Sequence, residues 1–279
     1  MAYNYLVPNI RGLENLISIL DKSKPDSDSE SAYPTPPSTP PPTESETTST
    51  TSTSGSSENS PLLSPSPPNT NEISLFAAAT EAFSRANTNC TIAESLERSR
   101  PIVTLAKTRG LRVRGYISVA LGCPYEGPDV DPHVVASMTT SLLEMGCDEV
   151  SVADTTGMGT APRTRELLST LKAAGIQNED IALHFHDTYG QALVNTLVGL
   201  EHGVRVFDSS VGGLGGCPYS KGATGNVATE DLVHLLHSLG VETGVDLEEM
   251  ARIGEWISGE LGRANDSRAG KATMARLRA

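Results

Sequence analysis

Two histidines separated by one residue follow a short apolar segment. The letters IAL at 181–183 lead into HFH, which contains His184 and His186. Side chains at positions i and i+2 of a strand lie on one face, so both imidazoles can reach one point. Converging imidazoles are typical metal ligands, although HxH pairs also occur in strands that bind no metal. The pair alone therefore leaves a metal site and an ordinary strand end equally open.

A thiol and a carboxamide follow within one glycine-rich segment. The letters GGLGGCPYSKGATGN at 212–226 contain Cys217 and, nine residues later, Asn226. Glycines let such a loop close over a substrate, and a thiol beside a bound cation can relay a proton. The alternative is that Cys217 is a buried or incidental thiol. The segment therefore adds a candidate thiol and a candidate amide to the histidine pair.

An alternation of strand-like and helix-like segments must position these residues. Strands are predicted near Tyr5, Ile73, Val113, Glu149, Ile181 and Val204. Such alternation is typical of parallel strands joined by crossover helices. Polar residues follow several strand ends, namely Cys123, Asp154, His184, His186 and Cys217. Polar groups at the carboxyl ends of parallel strands are typical of the active-site face of an α/β fold, the (β/α)8 TIM barrel.

Local signals mark several helix ends. Thr91 and Glu94 form a capping box, and Asp131 with Pro132 predicts the start of another helix that Gly146 ends. The glycines at 212–216 lack the spacing of a dinucleotide-binding fingerprint, and no helix is predicted to begin there. Nucleotide-phosphate binding is therefore weakly supported.

Charge and cysteine usage narrow the function class. The net charge of −13 argues against nucleic acid or an anionic membrane as the main partner. No apolar run approaches the roughly 18 residues of a membrane span, and the first residues match neither a signal peptide nor a transit peptide. Cys90, Cys123 and Cys147 show no metal-binding spacing, which predicts core thiols in a reducing compartment.

Composition divides the chain into four parts. Residues 1–20 are predicted to form the first βα unit, and residues 21–71 a disordered insertion rich in Ser, Thr and Pro. Residues 72–262 are predicted to form the rest of the barrel domain. The basic, polar tail at 263–279 is expected to be frayed.

The longest patterns resemble one known family, the 3-hydroxy-3-methylglutaryl-CoA lyases, which are TIM barrels related to pyruvate carboxyltransferases. The motifs are HFHDTYGQ at 184–191 and GLGGCPY at 213–219 followed by GN at 225–226, with RGYIS at 114–118 and LGCPYEG at 121–127. The resemblance covers about residues 3–20 and 72–261, so it spans both sides of the predicted insertion.

The resemblance implies a role for each site residue. His184 and His186 correspond to imidazole ligands of a divalent cation, Mg²⁺ or Mn²⁺, and Asn226 to an amide-oxygen ligand. Cys217 corresponds to the thiol on the glycine-rich loop that takes part in proton transfer. Asp154 corresponds to a polar catalytic residue near the substrate.

The implied activity is cleavage of 3-hydroxy-3-methylglutaryl-CoA to acetyl-CoA and acetoacetate, as in leucine catabolism and ketone body formation. The implied partner is an acyl-CoA substrate, and members of the family are often homodimers. The implied location is mitochondrial. Because no targeting segment is recognised in this chain, a cytoplasmic location is the alternative.

Two family elements have no counterpart here. These are the first strand, with its Arg-Asp-Gly-Leu-Gln motif, and the second strand, so the resemblance implies an incomplete barrel of about six strands. Without the aspartate of that motif, we expect the remaining neutral ligands to bind a hard dication weakly. We also expect the open arc to expose two edges and an apolar interior, which would favour self-association.

Two other functions stay open. The chain could be a catalytically inactive truncated relative that acts as an interaction module. It could also be a Claisen-condensing enzyme of the homocitrate or isopropylmalate synthase type, which shares the HxH pair. The DTYGQ and GGCPY motifs favour the lyase over the synthases.

Overall fold

The computed structural model describes residues 4–22, 71–216 and 225–279. Six strands form one parallel sheet in chain order, namely β1 Asn4–Leu6, β2 Glu72–Ala78, β3 Arg112–Ser118, β4 Glu149–Asp154, β5 Ile181–Phe185 and β6 Val206–Asp208. These are the six strands that the sequence predicts. Most of the predicted insertion and Cys217 lie outside the described residues.

Nine helices occur within the described ranges. They are α1 Ile10–Lys22, α2 Glu81–Thr88, α3 Ile92–Thr108, α4 Pro132–Met145, α5 Ala161–Ala173, α6 Ala192–Glu201, α7 Thr229–Ser238, α8 Leu247–Glu260 and α9 Arg268–Leu277. None of the helices in these ranges is long and apolar enough to cross a membrane.

The predicted helix caps are present. The Thr91 hydroxyl accepts from the Glu94 amide, and the Glu94 carboxylate accepts from the Thr91 amide, so the capping box of α3 is complete. The Asp131 carboxylate accepts from the amide at the second position of α4. Gly146 ends α4 in the left-handed conformation, with φ of 112°. These contacts fix where each helix meets its neighbouring strand.

Side chains alternate between two different faces of the sheet. Apart from Asp154 at the end of β4, the outer face, which the helices cover, is apolar. Its apolar residues are at most 3% exposed, namely Ile73, Leu75, Val113, Ile117, Val150, Val152, Ile181, Leu183 and Phe185. The inner face carries Ser74, Phe76, Arg114, Tyr116, Ser118, Ser151, His184 and Asp208. The inner face is therefore mixed and not uniformly apolar as expected, because the alternating pattern of each strand places polar side chains there beside the exposed Leu6 and Phe76.

The sheet curves around that inner face. Arg114 on β3 contacts Asp208 on β6 at 2.8 Å, although three strand spacings of a flat sheet would separate them by about 14 Å. Residues of β1 and β6 line one cavity of about 670 Å³, which we call the inner cavity. The curvature matches that of a barrel wall.

The expectation of a frayed C-terminal tail is wrong. Ser267 caps α9, and the buried Asp231 accepts hydrogen bonds from the Ser267 hydroxyl (2.7 Å) and the Ala269 amide (2.6 Å). The Asp266 amide donates to the carbonyl of Gly212 (3.1 Å). The polar composition of the tail misled the prediction, because the groups that hold it lie more than 30 residues earlier in the chain.

Candidate active site

The three predicted metal ligands meet at the carboxyl end of β5. The ring centroids of His184 and His186 lie 5.3 Å apart, and His186 forms an isolated antiparallel bridge with Asn226. The glycine-rich segment thus returns its amide residue to the histidine pair. His184 and Asn226 both line the inner cavity.

The amide of Asn226 leaves one oxygen available. Its Nδ2 donates to the carbonyl of Leu214 (2.8 Å), which assigns the orientation of the amide. The buried Oδ1 has no hydrogen-bond partner among the described residues. Within the described ranges, no three His, Cys, Asp or Glu side chains are grouped to hold a metal ion. A cation here would therefore need the Asn226 oxygen beside the two imidazoles, and this mixed set of N and O donors suits Mg²⁺ or Mn²⁺.

A network of charged side chains lies beside the histidines on the inner face. Arg114 lies 2.6 Å from Glu149 and 2.8 Å from Asp208, and all three are largely buried. The Ser151 hydroxyl donates to Asp208 (3.0 Å), whose Oδ2 also lies 3.3 Å from Nδ1 of His184. The network therefore links three other strands to the histidine on β5.

The pKa values of two carboxyl groups in this network are shifted in opposite directions. Burial would raise the pKa of Asp208, but the hydrogen bond with His184 and the charge of Arg114 lower it below its ordinary value. Burial raises the pKa of Glu149 despite the charge of Arg114. Asp208 is therefore the more strongly ionised member of the pair.

An aromatic pair forms one wall of the inner cavity. Phe76 and Tyr116 stack with centroids 5.2 Å apart and an interplanar angle of 17°, and the guanidinium of Arg114 lies 5.0 Å from the Tyr116 centroid. Burial, and next the charge of Asp208, raise the pKa of Tyr116 to about 12. Its hydroxyl stays protonated at neutral pH and accepts a hydrogen bond from Arg114 (2.9 Å).

Asp154 faces away from the inner cavity. Its carboxylate accepts from the Thr156 hydroxyl (3.1 Å) and from the amides of Gly157 (3.0 Å) and Gly159 (2.8 Å). Its side chain is fully buried, and burial raises its pKa although these hydrogen bonds oppose the shift. A Cβ at Gly159 would lie 2.7 Å from Asp154 Oδ2, so only glycine permits this close approach. The backbone carbonyl of Asp154 accepts from the amide of His186 (3.1 Å), whereas its carboxylate is held by the loop that follows β4.

Strained backbone lies next to the cavity at the end of β3. Val119 is fully buried and has φ of 56°, a conformation that is rare for a β-branched residue. Its amide donates to the hydroxyl of Thr155 (3.2 Å), and Thr155 lines the cavity. Such strain persists where surrounding structure holds it, often at functional sites. The sequence gives no sign of it.

The predicted thiol, Cys217, lies outside the described residues. The segment that leads to it contains Gly212 and Gly213, both with positive φ (61° and 65°). The Gly212 amide donates to both carboxylate oxygens of the fully buried Glu230 (2.9 and 3.1 Å). The start of the glycine-rich segment is therefore tied to α7.

Sequence reasoning missed Asp208. Asp208 is the last residue of β6, as Asp154 is of β4. Its position at a strand end was the feature of the sequence that could have identified it as a site residue. The contacts that distinguish the two aspartates come from residues distant in the chain. They follow only from the register that places Asp208 opposite His184.

Comparisons with known proteins show the family to which the chain belongs. The family model described as HMGL-like matches residues 67–257. A 3-hydroxy-3-isohexenylglutaryl-CoA/hydroxy-methylglutaryl-CoA lyase of Pseudomonas aeruginosa is 54% identical over 205 residues, which cover 74% of this chain and 68% of that protein. A cytoplasmic 3-hydroxy-3-methylglutaryl-CoA lyase of Danio rerio is 51% identical over 203 residues, or 73% of this chain and 60% of that protein.

A solved structure gives the same result. The crystal structure of hydroxymethylglutaryl-CoA lyase from Pseudomonas aeruginosa superposes with a TM-score of 0.77 at 42% sequence identity. The match covers 99% of this chain and 75% of that one. The matched regions thus span between 60% and 75% of these relatives' own lengths.

Proposed function

Because this chain belongs to the HMGL-like family, we propose that it is a metal-dependent carbon–carbon lyase that cleaves 3-hydroxy-3-methylglutaryl-CoA to acetyl-CoA and acetoacetate. The observation that carries the proposal is the convergence of His184, His186 and Asn226 at the carboxyl end of β5. Relatives at about half identity are named as lyases of this substrate, which supports the same substrate class, an acyl-CoA, for this chain.

His184, His186 and Asn226 are the residues that would hold the divalent cation. The available Asn226 oxygen supports this assignment. When bound, such a cation supplies positive charge that stabilises an enolate oxygen and a β-keto acid. The three donors carry no charge of their own, so we expect weaker binding than at a site with a carboxylate ligand.

The proposed reaction divides between the inner face and the glycine-rich segment. Loss of the tertiary hydroxyl proton and rupture of the carbon–carbon bond give the ketone of acetoacetate and the enolate of acetyl-CoA. The inner cavity would hold the hydroxyacyl group against the wall of Phe76 and Tyr116. We assign to Cys217 the transfer of a proton to the enolate carbon.

Asp154 enters the proposal as a residue that shapes the site. It binds two backbone amides of the loop that follows β4. Thr155, which begins that loop, lines the inner cavity. We therefore propose that Asp154 acts on the reaction by holding this loop, which keeps Thr155 in place.

Acetoacetate release from 3-hydroxy-3-methylglutaryl-CoA tests the proposal. We expect release by the purified chain with added Mg²⁺, loss of release with excess chelator, and a fall of about 10²- to 10⁴-fold for Cys217→Ala. Cys90→Ala is the matched control, because Cys90 is a buried thiol of the core beside α2. Absence of release by the unaltered chain would contradict the proposal.

A catalytically inactive relative that acts as an interaction module is the second candidate. The observation that favours it is the lack, among the described residues, of a carboxylate grouped with the histidines as a ligand. Calorimetry with Mn²⁺ separates the two candidates at the step of metal binding. Saturable binding that is lost in His186→Gln supports the lyase, whereas no binding in either chain supports the second candidate.

A further inference from the structure

Asp208 is a carboxylate of the inner face that contacts a proposed metal ligand, His184. In the parallel register of β5 and β6 it lies directly opposite His184. Its Oδ2 approaches Nδ1 of His184 at 3.3 Å, so the remaining ring nitrogen, Nε2, is the one left for another partner. This contact depends on the pairing of two strands and not on local sequence.

The other partners of Asp208 determine which atom carries the hydrogen in that contact. Arg114 donates to Oδ1 (2.8 Å), and the Ser151 hydroxyl donates to Oδ2 (3.0 Å). Both are donors, and the Arg114 guanidinium stabilises an ionised carboxylate. An ionised carboxylate only accepts hydrogen bonds, so the hydrogen between Asp208 and His184 belongs to Nδ1 of the ring.

We propose that Asp208 is a positioning residue of the active site, which holds His184 as the Nδ1–H tautomer with the lone pair of Nε2 free to bind a cation. The inference rests on the proposed metal-binding role of His184. A carboxylate that accepts from the far nitrogen of a ligating histidine fixes both its tautomer and its ring orientation. Arg114 and Ser151 come from two further strands, and both hold Asp208 in the position from which it contacts His184.

Glu149 provides a matched comparison within the same network. Glu149 pairs with Arg114, as Asp208 does, and it is similarly buried. Its carboxylate oxygen lies 2.6 Å from Nε of the guanidinium. Among the described contacts of Glu149, none involves a histidine. Glu149→Gln therefore removes one carboxylate charge from the network and leaves the contact between Asp208 and His184 intact.

Nitrogen NMR of the metal-free chain, with labelled histidine, tests the proposal directly. The chain has six histidines, and loss of one signal in His184→Gln assigns its resonances. We expect the Nδ1–H tautomer for His184 in the unaltered chain and in Glu149→Gln, and a shift toward the Nε2–H tautomer in Asp208→Asn. An Nε2–H tautomer in the unaltered chain would overturn the proposal, and this outcome does not depend on the folding of Asp208→Asn.

Mn²⁺ titration supplies the second measurement. We expect the Kd for Mn²⁺ to rise by about 10- to 100-fold in Asp208→Asn and to change little in Glu149→Gln. An equal rise in both variants would show a general effect of network charge and would overturn the specific role of Asp208. Failure of the unaltered chain to bind Mn²⁺ counts against the proposed function, whereas the tautomer of the metal-free chain still decides the role of Asp208.

Discussion

Two strands of the sheet end in an aspartate, and the protein holds the two carboxylates in opposite ways. Asp154, which ends β4, points toward the helix-covered side and accepts hydrogen bonds from its own following loop. Asp208, which ends β6, points toward the inner face and accepts from side chains of three other strands. One carboxylate organises a loop, and the other organises the histidine on β5.

The difference arises from surroundings and not from residue type. Asp154 is held mostly by neutral donors in a dry environment, and burial raises its pKa. Asp208 is also buried, yet its contacts with His184 and the positive Arg114 lower its pKa. A carboxylate at a strand end therefore needs its face and its partners specified before a role can be assigned.

The largest effect is expected from replacing Arg114, the positive side chain that Glu149 and Asp208 share on the inner face. Arg114→Met leaves Glu149 and Asp208 buried near each other without a positive partner. Breaking a buried ion pair from one side typically costs about 3–5 kcal/mol, and we expect a loss of unfolding free energy in that range. Urea unfolding measures it. If Arg114→Met were as stable as the unaltered chain, the network would contribute no stability.

The Asp154 side of the comparison gives the next largest effect. Asp154→Ala strips the hydrogen-bond acceptor from the buried amides of Gly157 and Gly159, so we expect a loss of about 2–4 kcal/mol. Asp154→Asn keeps one oxygen and should lose about half as much. Urea unfolding of both variants, with Mn²⁺ affinity measured beside it, checks the assignment. A fall in Mn²⁺ affinity without a fall in stability would contradict a role in holding the loop.

Much of the fold could be predicted from local sequence signals. The alternation of apolar segments located all six strands, because each strand must bury one side under a helix. The capping residues Thr91 and Glu94 located the start of α3, because they are only three positions apart and bond to each other. Features encoded within a few residues were therefore accessible.

Features that depend on distant contacts were not accessible. The helix α9 is held by Asp231, which lies 36 residues before Ser267. In the candidate site, the HxH pair was visible in the sequence and Asn226 was expected from the resemblance, whereas the contact between Asp208 and His184 required the register of two strands.

The next prediction concerns Tyr116, the neutral side chain beside Asp208, and the dependence of the unfolding free energy on alkaline pH. Because the pKa of Tyr116 is raised to about 12 in the folded chain, its contribution to stability is complete below its unfolded value of about 10. That contribution is lost as the pH rises through the folded value. We expect Tyr116→Phe to flatten the dependence of unfolding free energy on pH in this window. Parallel curves for the two chains would contradict the raised pKa.

The smallest effect is expected on the apolar side of the sheet, and it concerns reactivity more than stability. Burial, and next the charge of Asp148, raise the pKa of the Cys147 thiol to about 12. Because the thiolate is the reactive form, native Cys147 should resist iodoacetamide at mildly alkaline pH and react after unfolding in urea. Mass spectrometry of the labelled peptides measures both rates. Labelling of native Cys147 as fast as in urea would show that water reaches the outer face at this position, and would remove the contrast between a dry outer face and a polar inner face.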